Sequence, residues 1–130
     1  MTLRTILTEP NIILRQKSEI VKELNRKRSS YKGQDIKKDR YDVKEFISLD
    51  ELIEKLVISK LRCIYCKSTM LLVYNNVRDP SQWTLDRINN DKGHSSENVL
   101  IACLKCNLER RRINDKKFLF TKQMKIVKKY

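Results

Sequence analysis

The chain has 130 residues, 40% hydrophobic and 35% charged, with 29 basic against 16 acidic side chains and a formal charge of +13. That is room for one small domain with extensions, whose modest core needs a staple such as a metal or a disulfide. No apolar run approaches the roughly 20 residues of a membrane span. The N-terminal MTLRTILTEPNIILRQKSE lacks the apolar core and small-residue cleavage site of a secretory signal. A soluble intracellular protein, of cytoplasm or nucleus, is therefore expected.

The charge is segregated. Residues 1–62 carry 15 basic and 10 acidic side chains, residues 63–102 four of each, and residues 103–130 ten basic and two acidic. A neutral centre between basic flanks suits a module pressed onto a polyanion by its neighbours. A lysine-rich surface kept for solubility is the plainer alternative.

In chain order, residues 9–28 predict a helix, with Pro10 early and Ile13, Ile20, Val21 and Leu24 apolar amid charges. Residues 26–44, RKRSSYKGQDIKKDRYDVK, hold eight basic and three acidic residues with Tyr31 and Tyr41 among them. They predict a loop or arm able to lie along a phosphate backbone, with Arg26, Lys27, Arg28, Lys32, Lys37 and Lys38 as its candidate contacts; a solvated linker is the alternative. Ser48 with Glu51 forms a capping box that opens a short amphipathic helix to about Ser59. TMLLVYNN (69–76) predicts a strand, VRDPSQ a turn, and WTLDRI a half-buried strand. NNDKGHSSE is a loop, NVLIA a short apolar strand, and CLKCNLERRR opens a helix. The tail KKFLFTKQMKIVKKY is basic, with Phe118, Leu119 and Phe120 as its docking point.

Four cysteines occur as two C-x2-C pairs, Cys63 with Cys66 and Cys103 with Cys106. Two such knuckles complete a tetrahedral zinc site, and with all four positions thiolate the ion is structural and closed to substrate. Disulfides or a redox pair fit less well without a secretory signal and with the motif present twice; buried thiols without metal remain an alternative.

With these residues placed, the chain resembles the HNH, or ββα-metal, nuclease superfamily, in its four-cysteine branch typified by phage recombination endonuclease VII. It is also similar to short HNH-like proteins of large DNA viruses and phages. LDRI puts Asp86 where the family has Asp-His; GHSSENVLIAC puts Asn98 at the middle Asn; CLKCN puts Asn107 at the last metal ligand. The specific match covers residues 63–112, the arm adds weaker support, and residues 1–25 add none.

The resemblance implies an α+β fold: a small zinc-stapled ββα-metal module over 48–112, a basic helical arm and loop over 1–47, and a basic C-terminal extension over 113–130. It implies a metal-dependent endonuclease cutting DNA, with Asp86 and Asn107 holding Mg²⁺ or Mn²⁺ and Asn98 one step back, bracing by hydrogen bonds the loop that holds the base. The departure is Arg87, where the family has its catalytic histidine. A guanidinium stays protonated and cannot be a general base, though it can grip phosphate. His94, the only histidine, is the candidate base, with a turn hydrogen bond or a phosphate contact as its alternatives; attack by a metal-bound water without a histidine is also open. At least one of Arg110, Arg111 and Arg112 is expected at the phosphates, and Trp83 and Tyr65 in the core. The rival function is a catalytically inactive zinc module binding DNA or RNA, alone, as a homodimer or inside a larger nucleic-acid-processing assembly. DNA, branched or nicked forms included, is the expected partner, and no membrane.

Overall fold

The structure, a computed structural model, describes residues 14–128. Among these it is a small α+β protein with four α-helices and one two-stranded antiparallel sheet. Helix α1 runs over Leu14–Lys37 and α2 over Leu49–Ser59. Strand β1 (Trp83–Arg87) and strand β2 (Val99–Cys103) pair so that Leu85 faces Ile101 and Asp86 faces Leu100. Helices α3 (Leu104–Arg110) and α4 (Asp115–Lys128) follow.

Helix α1 corrects the expectation of a loop from residue 26 onward, since it continues unbroken to Lys37; the start predicted at residues 9–13 lies outside the described residues. Lys27, Tyr31 and Asp35 recur every four residues, so they share one face of the helix. That face is turned inward: Lys27 and Asp35 are buried and Tyr31 is half-buried. It carries polar groups, so it leaves no apolar periodicity to read.

Helix α2 forms as predicted. Ser48 Oγ accepts the Glu51 amide at 3.1 Å and the Glu51 carboxylate accepts the Ser48 amide at 3.0 Å, satisfying two amides that a helix start leaves orphaned. Its buried residues are Leu52 and Leu56. The chain leaves it through Lys60 and Leu61, both in the left-handed region at φ 55° and 58°.

The strand predicted over 69–76 does not form. Only isolated bridges occur there, Thr69 to Arg62 and Leu71 to Gln82, and Leu71 and Val73 remain exposed. The reason lies at the sheet's free edge. Helix α1 occupies the side of β1 where a third strand would pair: the Leu85 amide donates to the Tyr31 hydroxyl at 3.1 Å, and the Lys27 amine donates to the Trp83 carbonyl. Side chains thus cap an edge that would otherwise recruit another strand. Burial pushes the Lys27 amine down to about 7 and the Tyr31 hydroxyl up to about 12.

The core gathers Leu24, Ile47, Leu52, Leu56, Trp83 and Val99 around the sheet. Of the tail's expected docking point, Phe118 is buried with its ring edge-on to Tyr65 at 4.9 Å, whereas Phe120 is exposed. Among the described residues no helix is long and apolar enough to cross a membrane.

Candidate metal centre and the polar face of the sheet

The two knuckles come together. One ligand atom from each of Cys63, Cys66, Cys103 and Cys106 lies within 4.8 Å of the others, and Cys66 Sγ is 3.8 Å from Cys103 Sγ. A tetrahedron of thiolates at the usual zinc–sulfur length of about 2.3 Å has edges of roughly 3.8 Å. The four cysteines could therefore hold a metal ion such as zinc.

Each knuckle is held by its own backbone. The Tyr65 amide points at Cys63 Sγ (3.4 Å) and the Cys106 amide at Cys103 Sγ (3.5 Å). Lys67, at φ 64°, closes the first turn by donating its amide to the Cys63 carbonyl. The Ile64 amide donates to the Ile101 carbonyl, tying that knuckle to β2. Cys103 ends β2 and caps α3, so the second knuckle is the junction of strand and helix. Crowding four thiols makes them titrate together. Hydrogen bonds from Cys103 and Cys106 pull Cys63 far below the usual thiol range, and hydrogen bonds to Cys103 and Cys63 hold the Cys106 proton on. A dication relieves that crowding by stabilising every thiolate at once.

Side chains alternate across β1, so Thr84 and Asp86 share one face, and α3 packs across it. The Asn107 amide Nδ2 donates to Thr84 Oγ1 at 3.1 Å. Arg110, three residues on, pairs through Nη1 with Asp86 Oδ2 at 2.8 Å. The Tyr65 hydroxyl donates to the same oxygen at 2.7 Å. Burial raises the Asp86 carboxyl, and the bonds from Tyr65 and Arg110 oppose that rise. Among the described residues, Asp86 Oδ1 and Asn107 Oδ1 accept no hydrogen bond.

Arg110 is therefore not among the surface cations where it was expected. It is 1% exposed, and its guanidinium also donates to the carbonyls of Arg87, Ile88 and Ile113. Lys27 is likewise buried, at the sheet edge. Of the other candidate phosphate contacts, Arg26 pairs with Glu23, and Arg28 donates to the Ile47 carbonyl while lying over the Phe46 ring. Lys32, Lys37, Lys38, Arg111 and Arg112 are exposed, Arg112 in a surface pair with Asp91.

Asn98 is buried and braces the loop before it. Its Oδ1 accepts the Asn89 amide, and its Nδ2 donates to the carbonyls of Asn89 and Gly93. Arg87 donates to the Lys92 carbonyl across the same loop, and burial lowers its guanidinium from the ordinary value.

His94 is held against α1. Asp35 Oδ1 lies 2.7 Å from His94 Nδ1, Asp35 Oδ2 accepts the His94 amide at 2.7 Å, and the Tyr31 ring lies 4.5 Å from the imidazole. Burial lowers the imidazole from its ordinary value against the pull of Asp35. Gly93 permits the approach: a Cβ there would meet the Arg40 carbonyl at 2.5 Å and Asp35 Oδ2 at 2.7 Å. Asp35, Tyr31, Thr84 and Tyr65 are the partners that sequence reasoning missed. The four-residue spacing of Lys27, Tyr31 and Asp35 was the available signal for the first two; nothing local marks Thr84 or Tyr65.

Neither the family models nor the curated proteins nor the solved structures compared with this chain match it.

Proposed function

We propose that the chain is a metal-dependent endonuclease of the HNH, endonuclease VII-like type, a zinc-stapled ββα-metal module that hydrolyses DNA phosphodiester bonds. The observation that carries the reading is the packing of α3 on β1. It brings Asp86 and Asn107 to one interface, and each keeps a side-chain oxygen that accepts no hydrogen bond among the described residues. Oxygen donors of this kind suit a hard cation such as Mg²⁺. The bonds from Tyr65 and Arg110 to the other oxygen of Asp86 are those expected behind a ligating carboxylate. When bound, such an ion would supply charge stabilisation at the scissile phosphate. The chain's own part is to position. Asn98 fixes the loop, and Arg87 offers a permanent cation for a phosphate oxygen. His94, with Nδ1 engaged by Asp35, keeps Nε2 for a proton. Lys32, Lys37, Lys38, Arg111 and Arg112 provide the exposed charge that draws the polyanion in.

A second reading has its own observation. Arg110 already answers the charge of Asp86, and His94 is bonded to α1 rather than to anything at Asp86. On that ground the scaffold binds DNA or RNA without cutting it.

Zinc-loaded protein incubated with supercoiled plasmid, with and without Mg²⁺ or Mn²⁺, decides between them. Metal-dependent nicking that disappears in Asn107→Ala at unchanged zinc content is the expected result; Asn107 is half-exposed, so its loss leaves the core intact. Salt-sensitive gel shifts without nicking move the conclusion to the binding-only module. Neither nicking nor a shift overturns both.

A further inference from the structure

A groove of about 450 Å³ opens between α2, the first knuckle and the outer side of β2. Its floor is apolar, with Ile58 71% exposed and Ile64 and Leu100 half-buried. Lys55, Arg62 and Lys67 line its margin, and among the described residues no carboxylate does. The groove is separate from the polar face of β1 and from the basic arm and tail.

The sheet edge in this groove differs from the one α1 covers. The Leu85 amide is bonded to Tyr31 and so points away from β2; Ile101 lies opposite Leu85 in the register. In an antiparallel pair, residues opposite each other share one bonding direction, so the amide and carbonyl of Ile101 also point outward. Its carbonyl takes the Ile64 amide, and its own amide has no partner among the described residues. With the Ile101 carbonyl taken by the knuckle, the edge offers an extended peptide one main-chain donor beside an apolar floor, and the floor and rim supply the remaining contacts.

The charges select the occupant. A second copy paired through this edge would bring two sets of Lys55, Arg62 and Lys67 together on a chain already at +13, and like charges set face to face oppose association. Nucleic acid would satisfy the rim and leave the isoleucines against phosphate. We infer that the groove between α2 and β2 is a docking site for an extended segment of a partner protein, apolar at its centre and acidic at its flanks. The inference does not rest on the nuclease reading.

The probe is a fluorescein-labelled peptide with an Ile-Val-Ile-Val centre and two glutamates on each side, titrated with the zinc-loaded full chain and read by anisotropy. A second peptide carries lysines in place of the glutamates. Binding of the acidic peptide is expected to weaken about tenfold or more in Ile58→Asp, to weaken in Lys55→Glu with Arg62→Glu, and to be absent for the lysine-flanked peptide. All three positions lie at the surface, and unchanged circular dichroism shows that the variants fold. No binding of the acidic peptide, equal binding of both peptides, or binding unchanged in Ile58→Asp overturns the proposal. Sedimentation of the chain alone tests the other occupant: a dimer that Ile58→Asp disperses would assign the groove to a second copy and overturn it as well.

Discussion

Asp35 and His94, 59 residues apart in sequence, are joined twice, carboxylate to imidazole and carboxylate to backbone amide, each at 2.7 Å. The pair fastens the last third of α1 to the loop before β2. Both side chains are almost wholly buried, at 2% and 3% exposure. Two bonds to one carboxylate fix its orientation in a way a single surface ion pair does not.

That burial sets a pH dependence. The His94 imidazole is lowered from its ordinary value of 6.5, so in acid the unfolded chain takes up a proton before the folded one does. Above the ordinary value neither state is charged and nothing is lost. Below it stability falls as pH falls, and levels once the folded imidazole also protonates. The melting temperature of the wild type is expected to drop more steeply than that of His94→Gln between about pH 7 and 5. Parallel pH profiles for the two proteins would show that this histidine does not carry the linkage.

The cysteine cluster should bind one zinc ion per chain, measured by elemental analysis of protein purified without added metal. Chelation, or Cys106→Ala, is expected to abolish cooperative unfolding followed by circular dichroism. The site joins the loop after α2 to the β2–α3 junction, and so small a core has little in reserve. A sharp, unchanged transition after complete zinc removal would mean the thiols pack without a metal.

Breaking the pair between Asp86 and Arg110 leaves a buried charge unanswered. Arg110→Ala is expected to cost about 3–5 kcal/mol in urea unfolding. The double change Asp86→Leu with Arg110→Met should recover much of that loss, because replacing both charges by apolar groups removes the desolvation penalty as well as the attraction. If the double variant is no more stable than Arg110→Ala, the hydrogen bonds from Arg110 to the three carbonyls matter more than its charge.

The two glycines should respond in opposite directions. Gly93→Ala places a methyl against the Arg40 carbonyl and the Asp35 carboxylate, and forcing backbone apart in a packed site costs about 1–3 kcal/mol. Gly33 sits within α1 with nothing within 4 Å of the added carbon. Gly33→Ala is expected to stabilise by about 0.5–1 kcal/mol, since the helix no longer bears the entropy of a free glycine. Thermal unfolding of both variants is the check.

The sequence by itself determined whatever is written in short-range patterns. The Ser48–Glu51 box places the start of α2, and WTLDRI and NVLIA place β1 and β2, although β1 is buried on both faces where its alternation suggested one. The paired C-x2-C motifs mark the cluster, because a knuckle's geometry is set within four residues. Tertiary structure alone decided what depends on partners distant in the chain. Residues 26–37 remain helical because their inward face bonds to β1 and to His94 through polar side chains, which no hydrophobic period reveals. Residues 69–76 stay irregular, although their composition suits a strand, because α1 takes the edge from the Trp83 carbonyl to the Leu85 amide and leaves only the Trp83 amide to bond the Leu71 carbonyl. Arg110 turns inward while Arg111 and Arg112 face solvent: Arg110 is the last residue of α3, the chain turns out of the helix at Arg111 with φ 52°, and only the packing of α3 on β1 decides that Arg110 meets Asp86.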